Sequence, residues 1–252
     1  MHYSVQGNGP PLLLIHGWAM HGGIFASLVT HLESQFTIHS VDLPGHGRSL
    51  TQRFEHGDTL VELAAYLHKI APTILVGWSL GGAIATELAL DFPERVLGVV
   101  PIASSPCFVA NGDWPSGMAQ SALRGFAEEL TRNWEGVVDR FLALEAMGSP
   151  NERAELRWLR AEVYGRGKPD LDALMSGLAM LESIDLSSRL PGLSVASLWL
   201  GGSRDRIVPP QSILTAAKLS RGRAEMFAAA HAPFLTHPEL VANCIIEFAA
   251  HS

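Results

Sequence analysis

A serine between two glycines, at the end of an apolar run, is the first feature of this sequence that could do chemistry. Residues 73–76 read as a buried strand, Ser79 follows with Gly77 and Gly81 on either side, and residues 83–90 have helical composition. A sharp strand-to-helix turn needs glycines where a side chain would clash, and it holds the serine hydroxyl above the sheet. We therefore interpret Ser79 as the nucleophile of an acyl-transfer reaction.

A serine hydroxyl is a weak nucleophile at neutral pH, so it needs a base and a third group that orients the base. Asp205 follows a predicted strand at residues 194–200, and His231 follows another at residues 224–228. The carboxyl ends of parallel strands meet at one edge of a sheet, where sites assemble. The chain order serine, aspartate, histidine also matches this kind of turn. We predict that Ser79, Asp205 and His231 form a catalytic triad.

Two other residues are the alternative base and acid. His237 precedes Pro238 at a predicted helix start, where a capping or solvent-facing role fits it better. Asp185 follows a helical segment instead of a sheet strand. Position therefore favours His231 and Asp205.

Acyl transfer also needs two N–H donors for the oxyanion of the tetrahedral intermediate. Leu80, directly after the nucleophile, supplies one in our interpretation. Trp18, in the loop after the apolar strand at residues 11–15, supplies the other and lines the pocket with its ring. Its alternative role is a packed indole at a strand end. Trp78 fits a pocket wall and a core position equally well.

Strand and helix signals alternate through the rest of the chain, apart from its middle. Asp58 can cap the helix that starts at Thr59, and Pro101, which lacks an N–H, should lie at the end of its strand. Alternation of this kind predicts an α/β fold with a mostly parallel central sheet flanked by helices. The predicted strands are 11–15, 36–42, 73–76, 95–103, 194–200 and 224–228, and the predicted helices are 24–32, 59–70, 83–90 and 238–250.

Strand signals disappear between residues 108 and 185, where helix formers are broken by glycine and proline. We predict an inserted helical cap at 108–185, with 1–107 and 186–252 forming the core domain. Two antiparallel helices are the simplest arrangement. Their apolar positions recur at helical spacing at Trp134, Val137, Val138, Phe141, Leu142 and Leu144, and then at Leu156, Leu159 and Val163.

The amino-acid composition argues against several classes of function. The chain has 252 residues, 47% of them hydrophobic, and 18 basic against 25 acidic residues give a net charge of -7. This balance argues against general binding to nucleic acid or to an anionic membrane surface. The two cysteines, Cys107 and Cys244, form no metal-binding or disulfide pattern. The N-terminus resembles no signal peptide and no stretch is long enough to span a membrane, so we expect a cytoplasmic protein. We also expect a monomer. The serine mechanism uses only protein groups and water, so we expect neither a metal nor an organic cofactor.

Taken together, these residues resemble the α/β-hydrolase superfamily over the full length of the chain. The serine at the turn distinguishes the chain from the epoxide hydrolases and haloalkane dehalogenases of that superfamily, which use an aspartate there. The motifs that carry the resemblance are His16-Gly17-Trp18, Asp42-Leu43-Pro44-Gly45-His46-Gly47-Arg48-Ser49, Gly77-Trp78-Ser79-Leu80-Gly81-Gly82, Asp205 and His231.

Within the superfamily the chain resembles the pimeloyl-[acyl-carrier protein] methyl ester esterases of biotin synthesis. The resemblance implies hydrolysis of the methyl ester on a pimeloyl chain attached to acyl carrier protein. Phe141 is interpreted as a wall of the acyl channel, with a core position as the alternative. The stretches that carry the resemblance are Gly77-Trp78-Ser79-Leu80-Gly81-Gly82, Ala103-Ser104-Ser105-Pro106-Cys107-Phe108, Arg140-Phe141-Leu142-Ala143-Leu144 and Phe227-Ala228-Ala229-Ala230-His231-Ala232-Pro233-Phe234.

An acidic carrier requires a local basic surface on its enzyme. Arg153, Arg157 and Arg160 fall within about 60° of one another on an ideal helix, and Arg140 can join them from the preceding cap helix. The resemblance implies that these four arginines contact the carrier. The alternative is a solvated helix face whose charge is balanced by Glu152, Glu155 and Glu162.

Three other functions remain open at this stage. A general carboxylesterase of short acyl esters would use the same triad. A C–C bond hydrolase would need dienol-binding groups that the sequence does not reveal. A ligand-binding protein with a vestigial triad is the non-enzymatic alternative, which an intact Ser79, Asp205 and His231 disfavour.

Overall fold

The computed structural model describes residues 1–251, and seven of its segments form one sheet of order β1-β3-β2-β4-β5-β6-β7. β1 is antiparallel to β3, and every other neighbouring pair is parallel. The strands are β1 (His2–Gly7), β2 (Pro11–Ile15), β3 (Thr37–Asp42), β4 (Thr73–Trp78), β5 (Val96–Ile102), β6 (Ala196–Gly202) and β7 (Arg223–Phe227).

The central strands are apolar because both of their faces are covered. All six residues of β4 and four of the five in β2 are buried. Strands of this kind read as continuous apolar runs in a parallel sheet. β1 carries a mixed polar sequence and its last three residues are exposed. The sequence pattern does not predict this edge strand, because its pairing with β3 is a non-local contact without a local apolar pattern.

The part of the chain that the structure describes contains ten α-helices. α3 packs against β2, β4 and β5, α8 packs against β6 and β7, and α1 packs against α10. The helices are α1 (Ala26–Leu32), α2 (His56–Leu67), α3 (Leu80–Asp91), α4 (Gln120–Leu130), α5 (Trp134–Ala146), α6 (Glu152–Gly165), α7 (Leu171–Ser183), α8 (Pro210–Leu219), α9 (Pro233–Thr236) and α10 (Pro238–Ala249). Short 3-10 turns precede or join several of them.

Several predicted element boundaries differ from the observed ones by up to three residues, and one of these differences changes the role of a predicted helix cap. α2 begins at His56, three residues before the predicted start, and its N-cap is Glu55. Asp58 therefore lies in the first turn, where its negative charge favours the helix dipole, and does not cap the helix. Pro101 lies next to the last residue of β5, close to the expected strand end.

Four helices, not two, lie between β5 and β6. α5 and α6 correspond to the two predicted helices and pack against each other, while α4 packs against α5 and α7. The sequence analysis missed α4 and α7. Glycines inside both segments, at Gly125 and Gly177, weakened their helical pattern.

The two ends of this helical insertion meet at its base. Cys107 and Asp185 form an isolated antiparallel bridge, and the Leu186 N–H donates to the Pro106 carbonyl at 2.8 Å. These contacts lie at the predicted junctions of the segment 108–185. The division into a core domain and a cap stays a prediction.

No helix within residues 1–251 combines the length and the apolar character that crossing a membrane requires.

Candidate active site

Ser79, His231 and Asp205 form a continuous hydrogen-bonded chain at the carboxyl edge of the sheet. His231 Nε2 lies 2.9 Å from Ser79 Oγ, and His231 Nδ1 lies 2.8 Å from Asp205 Oδ2. The three residues are at most 6% exposed. These distances are those of a base that can take a proton from the serine hydroxyl.

The surroundings of Asp205 determine which imidazole nitrogen carries the proton. Asp205 Oδ1 accepts the N–H groups of Ile207 at 2.8 Å and Val208 at 3.0 Å. These bonds hold the carboxylate so that Oδ2 accepts from His231 Nδ1–H. Nε2 is then the free acceptor for the Ser79 hydroxyl.

The turn that carries Ser79 has a strained backbone. Ser79 has φ 53° and ψ -118°, a conformation that costs a non-glycine residue energy and persists when its surroundings hold it. The Ser79 N–H donates to the Ile102 carbonyl at 2.9 Å, and the Ser104 hydroxyl donates to the Ser79 carbonyl at 2.7 Å. A Cβ on Gly77 would overlap with the backbone of Gly81, so the turn can close only with glycine there.

Two backbone N–H groups near Ser79 are free to bind an oxyanion. Among residues 1–251, the N–H groups of Trp18 and Leu80 have no hydrogen-bond partner. Leu80 is the first residue of α3, so the positive end of that helix also points toward the nucleophile. The two N–H groups predicted from the sequence are therefore unused donors in the structure.

His16 holds the loop that carries Trp18. Its Nε2 accepts the Leu43 N–H at 2.9 Å, so its Nδ1 donates to the Gly17 carbonyl at 2.8 Å. Burial lowers the pKa of His16 to about 3, with the neighbouring His46 acting in the same direction. His16 therefore stays neutral and fixes the path of the loop.

Comparison with known proteins agrees with this geometry. Residues 12–243 match the profile of the alpha/beta hydrolase family. The chain belongs to that family. A pimeloyl-[acyl-carrier protein] methyl ester esterase from Stenotrophomonas maltophilia (strain R551-3) is 44% identical to this hydrolase, over 99% of this chain and 96% of its own. A protein of the same name from Xanthomonas oryzae pv. oryzae (strain MAFF 311018) is 42% identical over 99% of both chains.

A solved structure shows the same fold. The esterase from Exiguobacterium antarcticum superposes with a TM-score of 0.87, covering 98% of this chain and 94% of its own. At 20% identity this likeness concerns the fold alone. The predicted α/β-hydrolase fold is confirmed.

In this hydrolase the backbone of His231 is held on both sides. The indole Nε1–H of Trp78 donates to the His231 carbonyl at 2.9 Å, and the His231 N–H donates to the Glu145 carbonyl at 3.1 Å. Trp78 is fully buried. Of the two interpretations of Trp78, the core position agrees with its burial. Its hydrogen bond to the His231 carbonyl also helps to hold His231 in place.

Trp18 joins the core to the helical insertion. Its indole Nε1–H donates to the Leu174 carbonyl at 2.8 Å, and its ring packs edge-on against Phe141 with 4.8 Å between ring centroids. Both side chains are at most 2% exposed. Phe141 therefore contacts Trp18, which lies in the loop near Ser79. Its assignment as a wall of the acyl channel stays a prediction.

The alternative base and acid lie away from Ser79. His237 Nδ1 lies 2.8 Å from the Thr236 hydroxyl, and its side chain does not cap α10. Asp185 accepts from the side chains of Asn111 and Ser187. Neither side chain contacts the triad.

Glu145 and Glu155 are buried carboxyls beside the triad that our sequence analysis did not place there. They are 1% and 6% exposed. The alternative interpretation that places Glu155 on a solvated helix face is wrong, because the Glu155 side chain is buried. Glutamate at an inward position of an otherwise polar helix segment gives no local signal of burial.

The four predicted carrier-contact arginines fall into two groups. Arg140 forms a bidentate ion pair with Glu129 at 2.9 and 2.7 Å, and Arg160 pairs with Asp139 at 3.1 Å. Arg153 and Arg157 are exposed and have no acidic partner among residues 1–251. Their side chains line a shallow surface recess of about 400 Å³ at the start of α6.

Proposed function

We propose that this alpha/beta hydrolase is a serine carboxylesterase that converts the methyl ester of pimeloyl-[acyl-carrier protein] to free pimeloyl-[acyl-carrier protein] and methanol in biotin biosynthesis. The observation that carries the proposal is similarity over the whole chain: two relatives with that name are 42–44% identical over 99% of this chain. The serine, histidine and aspartate geometry supports the reaction type, because it provides a nucleophile with its base.

The proposed reaction has two halves. In the first, His231 takes the proton of Ser79 as the hydroxyl oxygen attacks the ester carbonyl, and protonated His231 then gives that proton to the methoxy oxygen, which leaves as methanol when its bond to the carbonyl carbon breaks. In the second, His231 takes a proton from water as the water oxygen attacks the acyl-enzyme, and protonated His231 returns a proton to Ser79 Oγ as the bond between the acyl group and Ser79 breaks and the acid is released. The carboxylate of Asp205 stabilises the imidazolium in both halves without taking its proton.

The N–H groups of Trp18 and Leu80 are the proposed oxyanion donors. Because they are preorganised and buried, they stabilise the developing charge without reorganisation, and removing one such donor costs about 3 kcal/mol in related sites. Trp18, Ser79, Leu80, Phe141 and His231 are the proposed substrate-binding residues. The proposed chemistry requires neither a metal nor an organic cofactor.

The proposed partner is acyl carrier protein bearing the pimeloyl methyl ester. Arg153 and Arg157 are the strongest candidates for contact, because their guanidinium groups are exposed and unpaired. Arg140 and Arg160 would first have to exchange their present carboxylate partners, Glu129 and Asp139, and water screens such exposed ion pairs. We propose that small esters are additional substrates and that the protein is a cytoplasmic monomer.

Genetic complementation tests the physiological reaction. The wild-type gene should restore growth without biotin to a cell that lacks its own pimeloyl ester esterase, and the Ser79→Ala variant, expressed equally, should not. Failure of well-expressed wild-type protein, together with hydrolysis of small esters in vitro, would replace the proposal with a general carboxylesterase. Esterase activity retained by Ser79→Ala would remove the assigned nucleophile.

Charge reversal tests the carrier contact. Arg153→Glu combined with Arg157→Glu should reduce kcat/KM for the carrier-linked ester at least about tenfold at low salt, because like charges now face the acidic carrier. Hydrolysis of p-nitrophenyl butyrate should not change. A matched control reverses Arg132 and Arg223, which are exposed elsewhere, with the same change in net charge. Equal losses on both substrates, or in the control variant, would refute the contact.

A further inference from the structure

Segment 16–23, which we name the oxyanion loop because it contains Trp18, has a tightly folded and strained backbone. The Met20 N–H donates to the Gly17 carbonyl at 3.3 Å and closes a turn around Trp18. Inside that turn Ala19 has φ 62°, a left-handed conformation that costs a residue with a side chain energy and persists when its surroundings hold it. The position of the Trp18 N–H therefore depends on the contacts that hold this loop.

His21 ties the oxyanion loop to α6 of the helical insertion. Its Nδ1 accepts the Gly23 N–H at 3.1 Å, so Nε2 carries the proton and donates to the Glu162 carbonyl at 2.8 Å. Burial lowers the pKa of His21, and the charge of Arg166 acts in the same direction, so the ring is neutral at neutral pH and keeps both bonds. A Cβ on Gly23 would lie 2.4 Å from Glu162 Oε1, so α6 approaches the loop as closely as a glycine allows.

A buried ion pair joins the same loop to the residue that follows α6. Asp42, at the end of β3, is 1% exposed, and its Oδ1 accepts the Gly22 N–H at 2.8 Å. Arg166 places its guanidinium Nη1 3.4 Å from that oxygen. Within residues 1–251 no other lysine or arginine forms an ion pair with Asp42. The charge of the carboxylate that holds the loop is therefore balanced by a residue of the insertion.

The tryptophan itself is held from α7, because its indole Nε1–H donates to the Leu174 carbonyl at 2.8 Å. The core holds the start of the loop through His16, whose ring bonds to the Gly17 carbonyl. The insertion therefore holds the rest of the loop at three points, one of them through Asp42.

We propose that His21 and Arg166 are positioning residues of this hydrolase, which fix the oxyanion loop against the insertion so that the Trp18 N–H points at the oxyanion. The inference rests on the proposed function, because it concerns one of the two proposed oxyanion donors. Such donors stabilise the transition state because they are held in place before the reaction starts. Releasing the loop from the insertion should therefore weaken transition-state stabilisation and leave substrate binding almost unchanged.

The test uses two variants that each release one contact. Arg166→Met removes the charge and keeps an extended side chain, and His21→Asn keeps an acceptor for the Gly23 N–H but is too short to reach α6. We expect kcat for p-nitrophenyl butyrate to fall about 3- to 10-fold in each, less than for loss of a whole donor, because the loop keeps its other contacts. KM should stay within about twofold of wild type. Arg166→Lys keeps the charge and should retain at least about half of the wild-type kcat.

A trifluoromethyl ketone inhibitor reports on the oxyanion donors separately. Ser79 Oγ bonds to its carbonyl carbon, His231 takes the hydroxyl proton, and the carbonyl oxygen becomes an anion at the position of the reaction's oxyanion. Its inhibition constant should rise about 3- to 10-fold in Arg166→Met and His21→Asn, in parallel with the loss of kcat/KM. A general loss of stability would lower the melting temperature without this parallel change.

Arg124→Met is the matched control, with the same substitution and the same change in net charge. Arg124 Nε lies 2.7 Å from Glu182 Oε1, so this ion pair joins α4 to α7 inside the insertion and does not reach the oxyanion loop. The variant should keep the wild-type kcat and inhibition constant.

Wild-type values of kcat and of the inhibition constant in either folded variant would overturn the role of that residue. A similar loss in Arg124→Met, or a lower kcat with an unchanged inhibition constant, would overturn the inference as a whole. Should Arg166→Met fail to fold, His21→Asn carries the test, because asparagine is a favoured residue at a helix N-cap.

Failure of the proposed function has a different signature, because it concerns the wild-type protein. A wild-type gene that does not restore growth without biotin refutes the physiological reaction, while the comparison of variants on p-nitrophenyl butyrate still decides the inference. A wild-type protein that hydrolyses esters no faster than Ser79→Ala would overturn both.

Discussion

Replacing Asp205 with asparagine tests the geometry of the triad most directly. Asp205 Oδ1 accepts two backbone N–H groups, from Ile207 and Val208, while Oδ2 faces His231 Nδ1. The amide oxygen of an asparagine can occupy only one of these positions. If it keeps the two backbone bonds, its NH₂ group faces Nδ1 and donates to it. Nδ1 then becomes an acceptor, Nε2 carries the proton, and Nε2 cannot accept the proton of Ser79.

The size of the fall in kcat follows from the free energy needed to turn the asparagine amide over. Turning the amide over would restore the active tautomer but would leave the two buried N–H groups facing an NH₂ group. Each unsatisfied N–H costs about 1 to 3 kcal/mol, so the turned form lies about 2 to 6 kcal/mol higher. The active orientation is then about 30- to 10⁴-fold depleted, since 1.4 kcal/mol is a factor of ten. We expect kcat to fall within that range.

The assay is steady-state hydrolysis of p-nitrophenyl butyrate, with thermal unfolding as the structural control. Asp205→Asn should unfold within a few degrees of wild type, because the two backbone bonds survive. Asp185→Asn is the matched control: it makes the same substitution at the alternative acid, which contacts Ser187 on the surface, and should keep full activity. A loss smaller than about tenfold in Asp205→Asn, or a similar loss in Asp185→Asn, would refute the tautomer argument.

Three further predictions concern stability and the placement of the base. Trp78→Phe removes the donor to the buried His231 carbonyl, so urea unfolding should show a loss of about 1 to 3 kcal/mol together with a lower kcat; an unchanged urea midpoint would contradict it. Gly77→Ala places a Cβ against the Gly81 carbonyl, and expression trials should give insoluble protein or a protein destabilised by about 4 kcal/mol or more, whereas a wild-type melting curve would contradict the close approach. The pKa of Glu155 rises to about 7 on folding, so the folded state holds a proton that the unfolded chain releases above its usual pKa near 4.5, and stability should fall as pH rises through this window. Glu155→Gln should therefore be more stable than wild type by about 3 kcal/mol at pH 8 and equal to it near pH 4, and chemical denaturation that shows the same difference at both pH values would refute this.

The strands and helices of the core were largely predictable because their signals are local. β2 and β4 are continuous apolar runs, and such runs arise when both faces of a strand are buried. β1 and the two additional helices between β5 and β6, α4 and α7, were not predictable in the same way. Their residues satisfy contacts with distant segments, such as the pairing of β1 with β3, and leave only a weak periodic pattern in their own sequence.

Local sequence was sufficient to locate Ser79, because a strand, a glycine-flanked turn and a helix follow one another within a few residues, and steric conflict allows little else there. The positions of Asp205 and His231 at strand ends made them the candidate partners, since strand ends of a parallel sheet share one edge. Distance, tautomer and burial were decided by tertiary structure alone. Long-range contacts set the 2.9 Å and 2.8 Å hydrogen bonds, the anchoring of His231 by Trp78, and the burial of Glu155 beside the triad. Ser79 and Trp78 lie 152 and 153 positions before His231 in the chain, and Asp205 lies 26 positions before it, so only packing brings these residues together.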